Sequence, residues 1–320
     1  MQKLSSIRMF FLTLVLAITT SALLAQSTNF SEKHKGKFKM PGASVKSLKK
    51  NPLFVNSYRV YQATTMKNSN VKHGEAAVHA EVALTGIDKA AYQKVVNELH
   101  NDLIQKLKNA GLNVTNGEAF MNSPLVQKKK ENPGKKDDVG NTGMAEPIPG
   151  KNAIKDGAWH GYRVLFVTRD LLFKPQNTNV FTTENIIKIG NFLQKPSTKE
   201  STNLLSVTYT VTYASFDKGR GYKKINIAVN PVLAVAVNIT LVTPNGAFNK
   251  VYYEKLPVWL TGDWTEGVYK TADRNGEFWG LSNSADFEIN ARSDEYLAEL
   301  KKTIEAIQAD FVNGIAAALK

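Results

Sequence analysis

From Leu205 to Tyr213 apolar residues fall on every second position, Leu205, Val207, Tyr209, Val211 and Tyr213, with Ser206, Thr208, Thr210 and Thr212 between them. A period of two is that of a strand with one apolar face. The chain turns at Asp217 to Gly221, and a second strand runs through Ile225, Ile227 and Val229, breaks at Asn230-Pro231 and resumes through Leu233, Val235, Val237, Ile239 and Leu241. Proline cannot donate to a ladder, so the break predicts a bulge or a change of sheet. Thr243-Pro244-Asn245-Gly246 then reads as a turn and Phe248 to Leu256 as a further strand, which completes an antiparallel meander.

Upstream, Val78, Ala80, Val82 and Leu84 alternate with His79, Glu81 and Thr85 in another half-buried strand. Asp88 caps a helix in which Tyr92, Val95, Val96, Leu99, Leu103, Ile104, Leu107 and Ala110 recur three and four apart. That helix ends at Gly111, and Leu112 and Val114 return to extended chain, so residues 53–120 read as a strand–helix–strand unit. His160 to Asp170, with Tyr162, Val164 and Phe166 on one side, is a strand, and Thr183 to Lys195 is a short helix stopped by Pro196. From Ser293 to Leu319 the positions Leu297, Leu300, Ile304, Ile307, Phe311, Ile315 and Leu319 make one stripe of a terminal helix. Glu299, Glu305 and Asp310 among the lysines of its other face favour packing on a sheet over lying on a membrane. The fold class is α+β: an antiparallel β-meander sheet packed by two long amphipathic helices, with a long disordered loop.

The loop is residues 121–157, with five glycines, four prolines and no aromatic residue. Such a composition cannot offset its ordering entropy, which makes it a linker or an insertion. Between Ser31 and Lys50 seven lysines face Glu32 alone, and Gly36, Pro41 and Gly42 interrupt any helix, so residues 26–52 read as a flexible basic arm. Residues 158–320 carry the sheet and the terminal helix, either alone or as one domain with 53–120.

The first residues change the setting of all this. Lys3 and Arg8 precede an apolar run from Met9 to Leu24, and Ala25 stands before Gln26, the order of a secretory signal peptide over residues 1–25. The run is shorter than the roughly 20 residues of a membrane anchor. Cleavage removes two positive charges, taking the formal charge from +13 to +11. The absence of cysteine excludes a lipoprotein anchor, disulfides, thiolate metal sites and cysteine nucleophiles. The expected address is periplasmic, outer-membrane-associated or secreted, in a bacterial source.

Candidate chemistry is sparse. The five histidines (34, 73, 79, 100, 160) form no metal-binding spacing, and no cofactor or metal is expected. Asp273-Arg274-Asn275-Gly276-Glu277 lacks the ligand ladder of a calcium loop and reads as an Asn-Gly turn. Gly219-Arg220-Gly221, beside Lys218, Lys223 and Lys224, joins two strands and reads as a hairpin turn before a phosphate cradle. One segment gathers rings and acids: Trp259, Asp263, Trp264, Glu266, Tyr269, Asp273, Glu277 and Trp279. Rings beside carboxylates suit a sugar-binding face or a glycosidase acid pair. The other reading is a long loop between strand and helix, pinned by its own aromatics.

The strand–helix–strand unit ending Leu107-Lys108-Asn109-Ala110-Gly111-Leu112-Asn113-Val114, followed by a meander and a long terminal helix, resembles the curli-secretion and TolB amino-terminal type of envelope protein. The resemblance spans residues 75–255 and departs from the secretion family in having no lipidation cysteine. It implies a non-enzymatic role in envelope assembly or transport and assigns no functional residue.

The expected function is therefore an exported, non-enzymatic protein that binds an envelope protein or an anionic or glycan polymer. The alternative is a hydrolase of glycan or peptide using carboxylates of the Asp263–Glu277 segment. Nucleic acid suits the charge but not the address, and no basic–aromatic interleaving supports it. The basic arm gives a route to membrane association, and oligomers are compatible with the sequence. Residues 204–241 admit two fates: an apolar face against the terminal helix, or a face toward lipid in a barrel closed by several protomers.

Overall fold

The structure, a computed structural model, describes residues 37–71, 77–131, 163–170, 193–220, 225–246, 248–253, 258–260, 263–275 and 282–320. Its strands are β1 (Lys37–Phe38), β2 (Leu53–Ala63), β3 (Thr65–Val71), β4 (Ala77–Thr85), β5 (Arg163–Asp170), β6 (Asn203–Arg220), β7 (Ile225–Val242), β8 (Phe248–Tyr253), β9 (Val258–Leu260), β10 (Thr265–Asn275) and β11 (Ser282–Ala291). The helices are α1 (Gly42–Lys50), α2 (Lys89–Asn109), α3 (Glu118–Met121), α4 (Pro124–Glu131), α5 (193–199) and α6 (Ser293–Leu319). The fold is α+β, with two mixed sheets and two long amphipathic helices, α2 and α6.

The first sheet runs β1-β8-β7-β6-β2-β5, with β9 also on β7, and the second β10-β11-β4-β3. The meander β6-β7-β8 is antiparallel throughout. The break at Pro231 is a bulge: Thr212 faces Ala234 and Ala214 faces Pro231, so β7 spends one residue more than β6 there. Two parallel pairings make the sheets mixed. β2 lies between β6 and β5, parallel to β6, and β11 lies parallel to β4. Strands of 53–120 thus share both sheets with strands of 158–320, which makes the two segments one domain.

The alternating residues of β6, Leu205 to Tyr213, and Leu233 to Leu241 of β7 are buried in one cluster with Tyr92, Leu99 and Leu103 of α2 and Leu300, Ile304 and Phe311 of α6. The molecule's own core covers this apolar face, as the first of the two fates for 204–241 requires. Among the described residues no helix is long and apolar enough to cross a membrane. Residues of opposite parity, Phe54, Leu204 and Val242, join Phe120, Val126 and Leu193 in a smaller cluster on the other side of the sheet. With both faces covered, ten of the eleven positions of β2 are buried.

Local chemistry sets the element ends. Asp88 Oδ1 accepts from the Ala90 and Ala91 N–H groups at 2.7 and 3.0 Å, the N-cap of α2. Gly111 follows that helix at φ +87°. Gly86, at φ +81°, lets the β4 exit pass close beneath β11, where a Cβ would overlap the Ala291 carbonyl oxygen. α2 and α6 are bridged by Lys301 and Glu98 at 2.8 Å. The Lys301 hydrogen bond holds the Glu98 carboxyl below its ordinary range, and Glu98 raises Lys301 in return.

Buried polar groups tie the layers together. The Tyr92 and Tyr296 hydroxyls both donate to Gln62 Oε1, at 2.9 and 2.8 Å, and Gln62 Nε2 donates to the Ala63 carbonyl at 2.8 Å. Gln308 of α6 donates to the Tyr58 hydroxyl at 2.8 Å and to the Leu99 carbonyl at 3.1 Å. After Ala63 the chain leaves the first sheet and enters the second through Thr64 alone. The Thr64 carbonyl accepts from the Leu84 N–H at 3.0 Å and from the Tyr213 hydroxyl at 3.1 Å.

Four expectations change. The flexible basic arm does not extend over residues 37–50, where β1 pairs with β8 and α1 is a helix. Pro41 is its N-cap residue and Gly42 its first turn; a missing N–H costs nothing where the helix has no partner for it, so these residues begin the helix instead of breaking it. Asn203 then anchors it: Ser47 Oγ donates to Asn203 Oδ1 at 2.7 Å, and Asn203 Nδ2 donates to the Asn51 carbonyl at 2.9 Å. Phe38 packs across α6 at Gly314, where a Cβ would lie 2.7 Å from its ring.

The expected loop begins with structure. Residue 121 ends α3 and residues 124–131 form α4, held by burial of Phe120 and Val126; the remainder of 132–157 lies outside the described residues. Of the helix expected from Thr183 to Lys195, residues 183–192 lie outside the described residues; the described part passes through Pro196 to 199, and the Pro196 carbonyl still accepts from the Glu200 N–H at 3.0 Å. Proline removes a donor, not an acceptor. The return after α2 is only a single bridge, Val114 to Leu53.

Candidate functional site

The aromatic and acidic segment folds as a hairpin of the second sheet, not as the long loop expected. β10 and β11 pair from Thr265 opposite Ala291 to Asn275 opposite Asn283, with shifts between Thr265 and Gly267 and between Lys270 and Ala272. Those bulges scramble the period of two that would have marked β10.

The described side chains of the set do not converge. Trp264 is buried, its ring edge-on to Tyr296 at 5.1 Å, and its carbonyl accepts from the Arg292 N–H at 2.9 Å. A ring in the core offers no face to a sugar. Asp263 is exposed and paired with Arg292 at 2.9 Å, and Arg292 also meets Glu295 at 3.4 Å. Glu266 accepts from Asn290 Nδ2. Tyr269 is 51% exposed and stands opposite Glu288, whose carboxylate accepts from Thr85 at 2.7 Å. Trp259 is on β9 in the other sheet, opposite Ala234. Asp273 sits on β10 opposite Ala285, whereas Glu277 and Trp279 lie outside the described residues.

Of the other candidates, His34, His73 and His160 lie outside the described residues. His100 is buried on α2 against the edge of Tyr58, ring centroids 5.4 Å apart. His79 lies on β4 opposite Ser69 and Ser284. Among the described residues no group of three potential metal ligands occurs. The phenols of Tyr58, Tyr92, Tyr213 and Tyr296 are all raised above their ordinary value, chiefly by burial. They remain hydrogen-bond donors at neutral pH and hold the core.

β2 accompanies β6 only to Val211, and β9 accompanies β7 only to Leu233. Beyond them, from Ala214 opposite Pro231 to Arg220 opposite Ile225, β6 and β7 pair only with each other among the described residues. The turn expected at Asp217 to Gly221 is strand as far as Arg220, because β6 continues in register with β7, and residues 221–224 lie outside the described residues. β3 and β10 are the two edges of the second sheet. β2 and β3 show no alternation that marks them in the sequence, although Leu53-Phe54-Val55 and Val60-Tyr61 carry the β-branched and aromatic signal of a buried strand.

Comparison with protein-family models, with curated proteins and with solved structures finds no match to this chain.

Proposed function

We propose that this is an exported, non-enzymatic envelope or secreted protein that binds a partner or polymer in envelope assembly or transport. The observation that supports it best is the ribbon Ala214–Arg220 with Ile225–Pro231, which among the described residues continues past the other strands of its sheet. A ribbon edge that takes no further strand among the described residues can recognise another chain by adding a strand, with affinity from main-chain hydrogen bonds. The resemblance to curli-secretion and TolB amino-terminal proteins points the same way. The burial of Trp264 and the pairing of Asp263 with Arg292 weigh against the hydrolase alternative.

The test is expression with an intact leader, cell fractionation, and cross-linking of the wild type and of a chain shortened at the ribbon. Recovery from the envelope or medium as a species starting at Gln26, with one stoichiometric cross-linked partner lost on shortening, is the expected result. Retention in the cytoplasm overturns it. So does hydrolysis of peptidoglycan, polysaccharide or peptide that is abolished by Asp263→Asn or Glu266→Gln.

A further inference from the structure

Three segments distant in sequence meet at the end of the first sheet where β2 and β6 begin and β7 finishes. α1 is tied there by Asn203, the first residue of β6. α5 is tied by Gln194, whose Nε2 donates to the Thr243 carbonyl at 2.9 Å, and by Ser197, whose Oγ donates to the Thr202 carbonyl at 2.7 Å. Asn245 Nδ2 reaches the Ala43 carbonyl at 3.3 Å, closing the turn after β7 onto α1. α4 joins them through Val126, which shares the smaller cluster with Leu193 of α5.

This end is basic. Lys46, Lys49 and Lys50 of α1 and Lys195 and Lys199 of α5 are all exposed. α4 carries three more, residues 128–130, in sequence. The carboxylates on the same elements and their joins are Glu118, Glu131 and Glu200. The basic residues are all lysines, compact hydrated charges that need no planar partner, where arginine would suit a fixed bidentate one. Among the described residues the exposed large hydrophobic is Tyr269, on the second sheet, so no exposed ring is described beside these lysines.

We infer that this lysine-bearing end is a docking surface for anionic phospholipid bilayers. A fluid bilayer brings mobile phosphates to scattered lysines, whereas an anionic glycan presents its charges along one chain and needs the lysines in line with it. Each lysine held near such a surface strengthens binding by about fivefold at physiological salt. The inference rests on the reading of an envelope protein and adds which end faces the lipid. The competing basic spot is the ribbon, with Lys218 and Arg220.

The experiment is flotation of the purified full chain with vesicles of phosphatidylcholine alone and of phosphatidylcholine mixed with phosphatidylglycerol. The neutral vesicles report any binding through Met9–Leu24. Binding to the mixed vesicles is expected to exceed binding to neutral ones and to fall steeply as salt is raised. The variant K46Q/K49Q/K50Q/K195Q/K199Q is expected to lose that excess by at least about a hundredfold, and K49Q/K50Q alone by about tenfold or more. K218Q/R220Q is expected to stay within about threefold of the wild type, and circular dichroism to show all variants folded. Wild-type partitioning by the five-lysine variant overturns the inference. Loss with K218Q/R220Q instead, or lysine-dependent retention on an anionic polysaccharide but not on vesicles, does the same. Any of these outcomes leaves export and partner cross-linking to be judged by their own measurements.

Discussion

The Tyr296 hydroxyl donates to Gln62 Oε1 at 2.8 Å, joining two residues 234 positions apart in the chain. The same oxygen accepts from Tyr92, so one buried amide holds β2, α2 and α6 together. Gln62→Leu would leave two buried hydroxyls without their acceptor, at about 1–3 kcal/mol each. A loss of about 2–5 kcal/mol in urea unfolding is expected. Adding Tyr92→Phe and Tyr296→Phe should restore part of it, because removing both sides of a buried hydrogen bond costs less than orphaning one.

The raised phenols of Tyr58, Tyr92, Tyr213 and Tyr296 give stability a defined alkaline limit. Below the ordinary tyrosine pKa of about 10 both states are protonated and the full stability is present. Above it the unfolded chain releases protons that the folded core retains, so stability falls as pH rises. The slope is about 1.4 kcal/mol per pH unit for each such tyrosine. Urea midpoints measured between about pH 8 and 11 should hold level and then drop, and the Tyr92→Phe variant should drop less steeply.

Asn203→Ala removes the side chain that fixes the end of α1 to β6. The expected cost is about 2–3 kcal/mol, from a buried amide that satisfies several partners. Limited trypsin digestion should then cut first at Lys46, Lys49 or Lys50, sites that α1 protects in the wild type. Cleavage elsewhere first would show that α1 is held by other contacts.

Trp264 and Tyr269 lie five residues apart and should behave oppositely. Trp264→Ala empties a core site against Tyr296 and is expected to cost about 3–5 kcal/mol. Tyr269→Ala, at a half-exposed ring, should change stability by less than about 0.5 kcal/mol. Thermal melts of the two variants decide the matter, and a Trp264→Ala protein as stable as the wild type would return that ring to the list of binding residues.

Much of the architecture was legible because its signals are periodic. α2 and its Asp88 cap, the stripe of α6, the alternation of β6 and the bulge at Pro231 could each be read from spacing alone. β2 was not, since a strand covered on both faces has no alternation to display. Parallel pairing of β2 with β6 and of β4 with β11 left no local trace either, because such contacts join residues far apart in sequence. The candidate site failed for a related reason. Clustering of Trp259, Trp264 and Trp279 in sequence says nothing of exposure, and the fold puts Trp259 and Trp264 on different sheets, the latter ring in the core.

The crossing at Thr64 has a mechanical consequence. Tension applied to the first sheet along β2 enters the second through a single residue, whose carbonyl accepts from the Leu84 N–H and shares the Tyr213 hydroxyl with the Val82 carbonyl. No slack linker lies between the sheets at this point to absorb extension. The two sheets therefore carry force as one body, and a pull strong enough to strip β2 from its neighbours also tears β3 from β4, so rupture should come as one event instead of two.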